Sequence, residues 1–355
     1  MRHMSILARV LGSSLLLAYA GPSLGQTISS VSGQLAQGNA VAITGLNFGT
    51  RDINNNLIYD GMESGSFNPR WTSPRALTVD SESRHARSQY AAHIDFKNYA
   101  ENGFFTGGAN DPGPWFCQYW FKLGDNWTWG TTGSDQLGAN LSNIKMFRMW
   151  ESGSSVENFY IASFGWEDVM FISNSGVDAQ EKFYAANGYQ TKWAPGSWHL
   201  FQFEFKDSSL GVADGAFRWW IDGELEFEDT HMMTREDEAP YKRPYILGFF
   251  NSWGDNSTDS NDFWLDDAYI DDSWARVELG NASSYESCTH REIQPLVDWS
   301  ATQVRVTLNQ GSFNAGEAAY LFVVGPTGQR SPGFPVTIGG TVENNAPGQP
   351  GKPQF

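Results

Sequence analysis

The feature that most constrains this chain is a succession of short apolar segments, each ended by a turn signal, with no sustained helical period. Eight segments between residues 116 and 270 qualify as strands: 116–123, 144–150, 159–164, 198–206, 216–221, 224–228, 245–250 and 263–270. The Asp222-Gly223 pair between two of them is typical of a tight β-hairpin. The sequence therefore predicts an all-β fold in which about 240 residues of antiparallel strands form one large jelly-roll sandwich.

Composition narrows the function classes. The chain has 355 residues, of which 40% are hydrophobic and 15% aromatic, so it can bury large cores and is not a disordered protein. Its 40 acidic residues exceed its 23 Lys and Arg residues, which gives a formal net charge of -17. Because no basic stripe accompanies this acidic excess, the sequence argues against a nucleic-acid partner.

The N-terminus predicts export. Arg2 and Arg9 precede an apolar run over 10–20, and the small residues Ser23 and Gly25 follow it, so residues 1–25 are typical of a signal peptide cleaved after Gly25. A membrane span needs about 20 apolar residues, which this run does not reach, so we expect no membrane insertion. The mature protein is predicted to be secreted, either extracellular or periplasmic. No sequence feature indicates its oligomeric state.

The two cysteines, Cys117 and Cys288, are too few for a disulfide framework or a zinc site. In an oxidising compartment they form either one disulfide or two buried thiols, and the sequence does not choose between these alternatives.

The two ends of the mature chain resemble one known domain. The segments "TISSVSG" at 27–33 and "AVAITGLNFG" at 40–49 are similar to the opening strands of an immunoglobulin-like IPT/TIG domain, and 299–308, 319–324 and 333–338 look like its closing strands. This resemblance implies a discontinuous Ig-like sandwich over 27–52 plus 292–340. Residues 53–291 are then an insertion, and 341–355 form a flexible Pro/Gly tail.

The insertion resembles a second family. Its segments "GSWHLFQFEFK", "DGAFRWWIDGELEFED", "YILGFFNSWG" and "DFWLDDAYID" look like the back half of a concanavalin A-like jelly roll, most similar to secreted polysaccharide lyases and laminin G-type modules. The resemblance implies a polysaccharide partner. The function that we predict from it is a carbohydrate-binding module without chemistry; the alternative is a lyase that cleaves a uronate-containing glycan by β-elimination.

A polysaccharide lyase needs a cation at the uronate carboxylate, a base for the acidified proton and an acid for the leaving oxygen. Lys145 or Arg148, Arg235 and Tyr245 are the candidate catalytic residues. Regular alternation places Lys145 and Arg148 on opposite faces of their strand, so only one of them can face a groove unless a bulge intervenes. Phe250 stands where one alginate-lyase motif has its catalytic tyrosine, which favours binding without chemistry.

Candidate substrate-binding residues come from strand alternation and from loop tryptophans. On 198–206, alternation assigns the phenylalanines to the core and turns Gln202 and Glu204 into the groove. Trp127, Trp129 and Trp253 lie in loop sequence, where indole rings can be exposed to stack on sugars.

The acidic strand Glu224-Leu225-Glu226-Phe227-Glu228 resembles the E-x-D-x-E strand of laminarinase-type glycoside hydrolases. Alternation places its three carboxylates on one face, as a nucleophile and a raised-pKa acid require. Glycoside hydrolysis is a weaker alternative, and a cell-surface adhesion component is a further one.

An oxygen-rich cluster of the kind that binds Ca²⁺ is formed by Asp255, Asp259, Asp262, Asp266 and Asp267, and the first three are the candidate ligands for a structural Ca²⁺. The six histidines show no zinc-site spacing, and the chain has no phosphate-binding loop.

Overall fold

The structure is a computed structural model that describes residues 25–53, 57–71, 77–95, 99–100, 113–127, 143–150, 158–164, 169–174, 181–235, 245–246, 251–252 and 262–342. Strands dominate these residues, and the helical content is one four-residue helix, α1 (Tyr189–Lys192), and one 3₁₀ turn (Tyr285–Ser287). The prediction of an all-β fold is therefore confirmed.

The described strands are numbered in chain order. They are β1 (Thr27–Gln34), β2 (Ala40–Leu46), β3 (Ile58–Asp60), β4 (Thr78–Asp80), β5 (Ala91–Asp95), β6 (Tyr99–Ala100), β7 (Trp115–Leu123), β8 (Asn143–Trp150), β9 (Asn158–Phe164), β10 (Val169–Asn174), β11 (Glu181–Asn187), β12 (Trp198–Lys206), β13 (Gly215–Ile221), β14 (Glu224–Met232), β15 (Tyr245–Ile246), β16 (Asn251–Ser252), β17 (Asp262–Asp271), β18 (Arg276–Gly280), β19 (Arg291–Ile293), β20 (Leu296–Trp299), β21 (Gln303–Thr307), β22 (Ala318–Val324), β23 (Phe334–Thr337) and β24 (Thr341–Val342).

Two antiparallel sheets form a large sandwich of the jelly-roll type. One sheet has the order β14-β13-β12-β7-β17-β5-β4, with β3 also paired to β17, and is called the back sheet. The other has the order β11-β10-β9-β8-β16-β6, with β15 also paired to β8, and is called the front sheet. Their facing surfaces bury a single hydrophobic cluster.

Aromatic side chains join the two sheets. Phe147 of β8 stacks on Phe203 of β12 with ring centroids 4.1 Å apart, and Phe159 of β9 lies 5.0 Å from Phe205. Phe201, Phe203 and Phe205 are all fully buried, so the predicted core face of β12 is confirmed. Burying each such side chain contributes roughly 1.5–3 kcal/mol. This packing fixes which face of β8 points inward.

The predicted hairpin is present between β13 and β14. Asp222 and Gly223 form its two-residue loop, with φ angles of 49° and 81°. A turn of this type needs positive φ at both central residues, which explains the Asp-Gly pair.

Two further sheets form a second sandwich. Their orders are β20-β21-β2-β1-β24 and β19-β18-β22-β23, and they bury a separate hydrophobic cluster. The N-terminal strand β2 pairs with β21, although about 260 residues separate them in sequence. Val277 and Leu279 of β18, within the predicted insertion, also pack in this cluster. The domain boundaries and the Ig-like family of this sandwich stay predictions.

Cys117 and Cys288 are both free thiols and both buried. Of the two alternatives left by the sequence, the structure therefore has the unpaired one. None of the helices among the described residues has the length and apolar character that a membrane span needs.

Candidate active site on strand β8

A bulge in β8 places two cations on one face of the front sheet. In the pairing with β9, Lys145 lies opposite Ala162 and Phe147 opposite Ile161, so Met146 is an extra residue on β8. Arg148 lies opposite Tyr160, two residues from Ala162. Ala162 and Tyr160 are two residues apart on β9, so their side chains lie on the same face of the sheet. Directly opposed residues also share a face, so Lys145 and Arg148 lie on that face as well.

The opposite face of β8 is the core face. Phe147, Met149 and the bulged Met146 are fully buried in the cluster between the sheets. Two consecutive core residues at 146 and 147 are what a bulge produces, because the extra residue breaks strict alternation. Regular alternation would have placed Lys145 and Arg148 on opposite faces, and the bulge at Met146 brings them onto the same one.

The two cations of β8 differ in burial and in ionisation. Lys145 is only 6% exposed, whereas Arg148 is partly exposed. Burial, and then the positive charge of Arg148, lower the pKa of Lys145 from 10.5 to about 7. Arginine keeps its charge at any working pH. This face therefore combines a permanent cation with an amine that can lose its proton near neutrality.

The backbone register adds a third candidate to this place. Tyr245 of β15 pairs with Arg148, and Ile246 pairs with Phe147. The register therefore brings position 245 directly opposite Arg148. Phe250, which stands at the tyrosine position of an alginate-lyase motif, lies outside the described residues.

Arg235 is not part of this arrangement. It follows β14 at the edge of the back sheet, whereas Lys145 and Arg148 lie on the front sheet. Its Nε donates a hydrogen bond to the carbonyl oxygen of Ser208 at 2.8 Å and lies 3.4 Å from Asp207. These contacts hold Arg235 to its own sheet.

The predicted groove face of β12 is wrong. Gln202 and Glu204 are both 0% exposed, because residues of β18 and β19 in the second sandwich lie against them. The side-chain oxygen of Gln202 accepts from Arg291 at 2.5 Å, and its amide donates to Glu278 at 2.7 Å. Glu204 accepts from Arg276 at 2.9 Å. Both side chains serve the contact between the sandwiches and do not line an open groove.

Arg276 is the centre of a buried polar cluster whose other members are Gln202, Glu204, Glu278, Tyr285 and Arg291. It donates to Glu278 and to the hydroxyl of Tyr285, each at 2.9 Å, and its guanidinium lies 3.8 Å from the ring centroid of Phe116. Burial alone would raise the pKa of Glu278, but the guanidinium groups of Arg276 and Arg291 hold it below its usual value. The cluster is thus charge-compensated.

The predicted exposed tryptophan platform is also contradicted where it can be described. Trp127 is 6% exposed and packs 6.1 Å from the ring of Phe263, inside the core of the large sandwich. Trp129 and Trp253 lie outside the described residues. Trp127 therefore offers no free ring face for sugar stacking.

The acidic strand lacks the geometry that a glycosidase needs. Glu226 is an extra residue in the pairing of β14 with β13, and the partners of Glu224 and Glu228 on β13 are three residues apart. Glu224 and Glu228 therefore lie on opposite faces. Glu226 is held by Lys192 at 2.5 Å, and Glu228 by Arg218 at 2.5 Å. The prediction that alternation aligns all three carboxylates is wrong.

Of the predicted calcium ligands, only Asp262 is among the described residues. It lies 2.8 Å from His93 Nε2 and accepts from Asn126 at 2.9 Å. Across the described part of the chain, no group of three or more His, Cys, Asp or Glu side chains has the arrangement of a metal site. Asp255 and Asp259 fall outside that part, and Ca²⁺ binding stays a prediction.

Comparison with known proteins gives structural likenesses alone. No protein-family model matches the chain, and no curated protein matches it either. The similar solved structures include an endo-β-1,4-glucuronan lyase from the fungus Trichoderma reesei, with a TM-score of 0.43, 12% identity and coverage of 61% of this chain and 96% of that one. They also include the PL-14 alginate lyase from Aplysia kurodai (0.37, 11%, 56% and 87%) and an alginate lyase from Chlorella virus (0.34, 10%, 56% and 93%).

Proposed function

We propose that this protein is a secreted polysaccharide lyase that cleaves a uronate-containing glycan by β-elimination on the outer face of β8. The observation that carries the proposal is the bulge at Met146, which gives Lys145 and Arg148 the same face. A permanent cation beside an amine of low pKa supplies both groups that abstraction of a proton next to a carboxylate requires.

The reaction assigns a separate role to each cation. Arg148 binds the uronate carboxylate and stabilises the negative charge that develops there when the C5 proton leaves. The neutral amine of Lys145 takes that proton. The electron pair of the C5–H bond then forms the C4–C5 double bond as the C4–O bond breaks.

The leaving oxygen must gain a proton for the reaction to balance. We assign this proton to Tyr245, because the register places position 245 directly opposite Arg148. A phenol is a competent acid for an alkoxide leaving group, and the product is a shortened chain plus an unsaturated uronate end.

The test is the ultraviolet absorbance of the unsaturated product, followed while the protein acts on a panel of uronate polysaccharides. The wild type should generate it from at least one substrate, and Lys145→Met and Arg148→Gln should each lower the rate at least ~10²-fold. The matched controls Lys206→Met and Arg305→Gln replace an exposed lysine and an exposed arginine, and should keep the wild-type rate.

Binding without chemistry is the main competing function. Trp127 and Gln202, two of the residues expected to bind sugar, are buried in the structure, which weakens this alternative. If no unsaturated product forms but one glycan retards the protein in gel electrophoresis, the lyase proposal is wrong and a carbohydrate-binding module remains.

A further inference from the structure

Tyr119 brings a hydroxyl group into the apolar core of the large sandwich. It belongs to β7, is fully buried, and packs 5.3 Å from the ring of Phe201 and 6.4 Å from that of Phe121. A phenol in such surroundings must find a hydrogen-bond partner or lose free energy. Its hydroxyl donates to the backbone carbonyl oxygen of Met146 at 2.6 Å.

The acceptor of this hydrogen bond is the bulged residue of β8. Met146 is the position at which β8 gains one residue relative to β9. Bulges locally disrupt the hydrogen-bond ladder of a sheet, so a fixed bulge benefits from a partner outside its own sheet. Tyr119 comes from the back sheet and Met146 from the front sheet, so this hydrogen bond crosses the core.

We propose that Tyr119 is a positioning residue, whose hydroxyl fixes the bulge at Met146 and thereby keeps Lys145 on the same face as Arg148. This role rests on the proposed function, since Lys145 and Arg148 are the groups that it would position. Tyr119 itself is on the core side of β8 and acts only through the backbone of Met146.

Two observations support this role. Burial raises the pKa of Tyr119 well above its usual value, so the hydroxyl stays protonated and remains a donor at any working pH. Lys145 and Met146 are adjacent in sequence, so a shift of the Met146 carbonyl moves the backbone that carries Lys145. Displacements of about 1 Å in a catalytic group can cost about 10²-fold in rate.

The test compares Tyr119→Phe with the matched control Tyr285→Phe. Each removes one buried hydroxyl; that of Tyr285 donates to Glu278, in the buried polar cluster around Arg276, at 2.6 Å. Two quantities are measured: the turnover of a uronate polysaccharide, and the pH dependence of Lys145 labelling by an amine reagent without glycan, read by mass spectrometry. The positive charge of Arg148 lowers the pKa of Lys145, and both variants retain Arg148.

Tyr119→Phe should lower kcat by roughly 10- to 100-fold with KM within about twofold. It should also move the labelling midpoint of Lys145 upward by about one pH unit or more, as the amine leaves its buried position. Tyr285→Phe should lower the Tm and leave both readouts at their wild-type values. A Tyr119→Phe protein with the wild-type labelling midpoint would overturn the proposal.

The labelling readout separates failure of this proposal from failure of the proposed function. A wild type that never forms unsaturated product disproves the lyase, yet the labelling midpoints of the two variants still decide whether Tyr119 positions Lys145. If Tyr119→Phe fails to fold, 4-aminophenylalanine at position 119 restores an N–H donor and should restore the wild-type midpoint. A folded amino variant with a shifted midpoint contradicts the proposal.

Discussion

Arg51 and Asp271 form a buried bidentate ion pair where the chain passes between the two sandwiches. The two guanidinium nitrogens of Arg51 lie 2.7 and 2.9 Å from the two carboxylate oxygens, and the side chains are 3% and 0% exposed. Arg51 also donates to the carbonyl oxygen of Ala275 at 2.5 Å. Arg51 follows β2 and Asp271 ends β17, so the pair ties the segment entering the large sandwich to the strand leaving it.

This pair predicts a pH-dependent cost of losing Arg51. Burial raises the pKa of Asp271 to about 6, although Arg51 opposes the shift. Because the folded state then holds this proton more tightly than the unfolded chain, the associated stability is lost as the pH rises through about 6. Arg51→Met leaves an ionised carboxylate uncompensated, and should cost about 3 kcal/mol at pH 8 and much less at pH 5.

Urea unfolding at the two pH values measures this difference. The double variant Arg51→Met/Asp271→Asn serves as the control and should regain most of the lost stability, since no buried charge remains. An equal loss at pH 5 and pH 8 would show that Arg51 acts through packing alone.

The buried amine of Lys145 should lower the free energy of unfolding of the wild-type protein at neutral pH. Its folded-state pKa of about 7 lies below the ordinary 10.5, so the unfolded chain binds the proton more tightly and wild-type stability rises as the pH increases between these values. Lys145→Met removes the buried amine and should raise the free energy of unfolding at pH 7 by on the order of 2 kcal/mol, while activity is lost.

The gain from Lys145→Met should shrink as the pH rises toward 10.5, because the unfolded chain progressively loses its proton and above that pH the amine is neutral in both states. Urea unfolding at pH 7 and pH 9 tests this trend, with the exposed Lys206→Met as control. A gain that is absent at pH 7, or grows with pH, contradicts the assignment of a low pKa to Lys145.

Glu204 should matter for stability and not for sugar binding. Its carboxylate accepts from Arg276 at 2.9 Å and from Arg218 at 3.1 Å, and it is fully buried. Glu204→Gln leaves buried arginine charge under-compensated and should cost about 2–4 kcal/mol. Glu228→Gln removes an exposed partner of the same Arg218 and should cost less than about 0.5 kcal/mol. If Glu204→Gln instead kept the wild-type stability and weakened glycan retention, Glu204 would be a substrate-binding residue and this prediction would be wrong.

The cysteines should behave as two inaccessible thiols. Cys117 is 0% and Cys288 1% exposed, and burial raises the pKa of both. A colorimetric thiol reagent should therefore detect no thiol in the native protein and two after unfolding in guanidinium without reductant. The absence of thiols in the unfolded sample would reveal a disulfide and contradict the structure.

The local elements of this fold were predictable because the information for them is local. The predicted strand at 198–206 coincides with β12, that at 116–123 lies within one residue of β7, and the Asp222-Gly223 hairpin is present. Alternation on β12 correctly separated its phenylalanines from its polar residues. Period-two patterns and turn chemistry are properties of a few consecutive residues.

The wrong predictions concern side chains whose burial or face is set by another part of the chain. Nothing in 198–206 shows that Arg276 and Arg291, some 70 residues or more later, cover Gln202 and Glu204. The bulges at Met146 and Glu226 are set by the register of neighbouring strands, and one extra residue reverses every later face assignment. The bulge at Met146 gives Lys145 and Arg148 a common face, whereas the bulge at Glu226 places Glu224 and Glu228 on opposite faces.

The most direct test of the central claim is the pH dependence of kcat/KM for formation of the unsaturated product. If Lys145 is the base on the face that it shares with Arg148, the wild-type rate should rise through an acid limb with an apparent pKa of about 7. Lys145→Met should lower the rate at least ~10²-fold at every pH. Full activity in Lys145→Met, or a wild-type rate without this limb, would contradict the account.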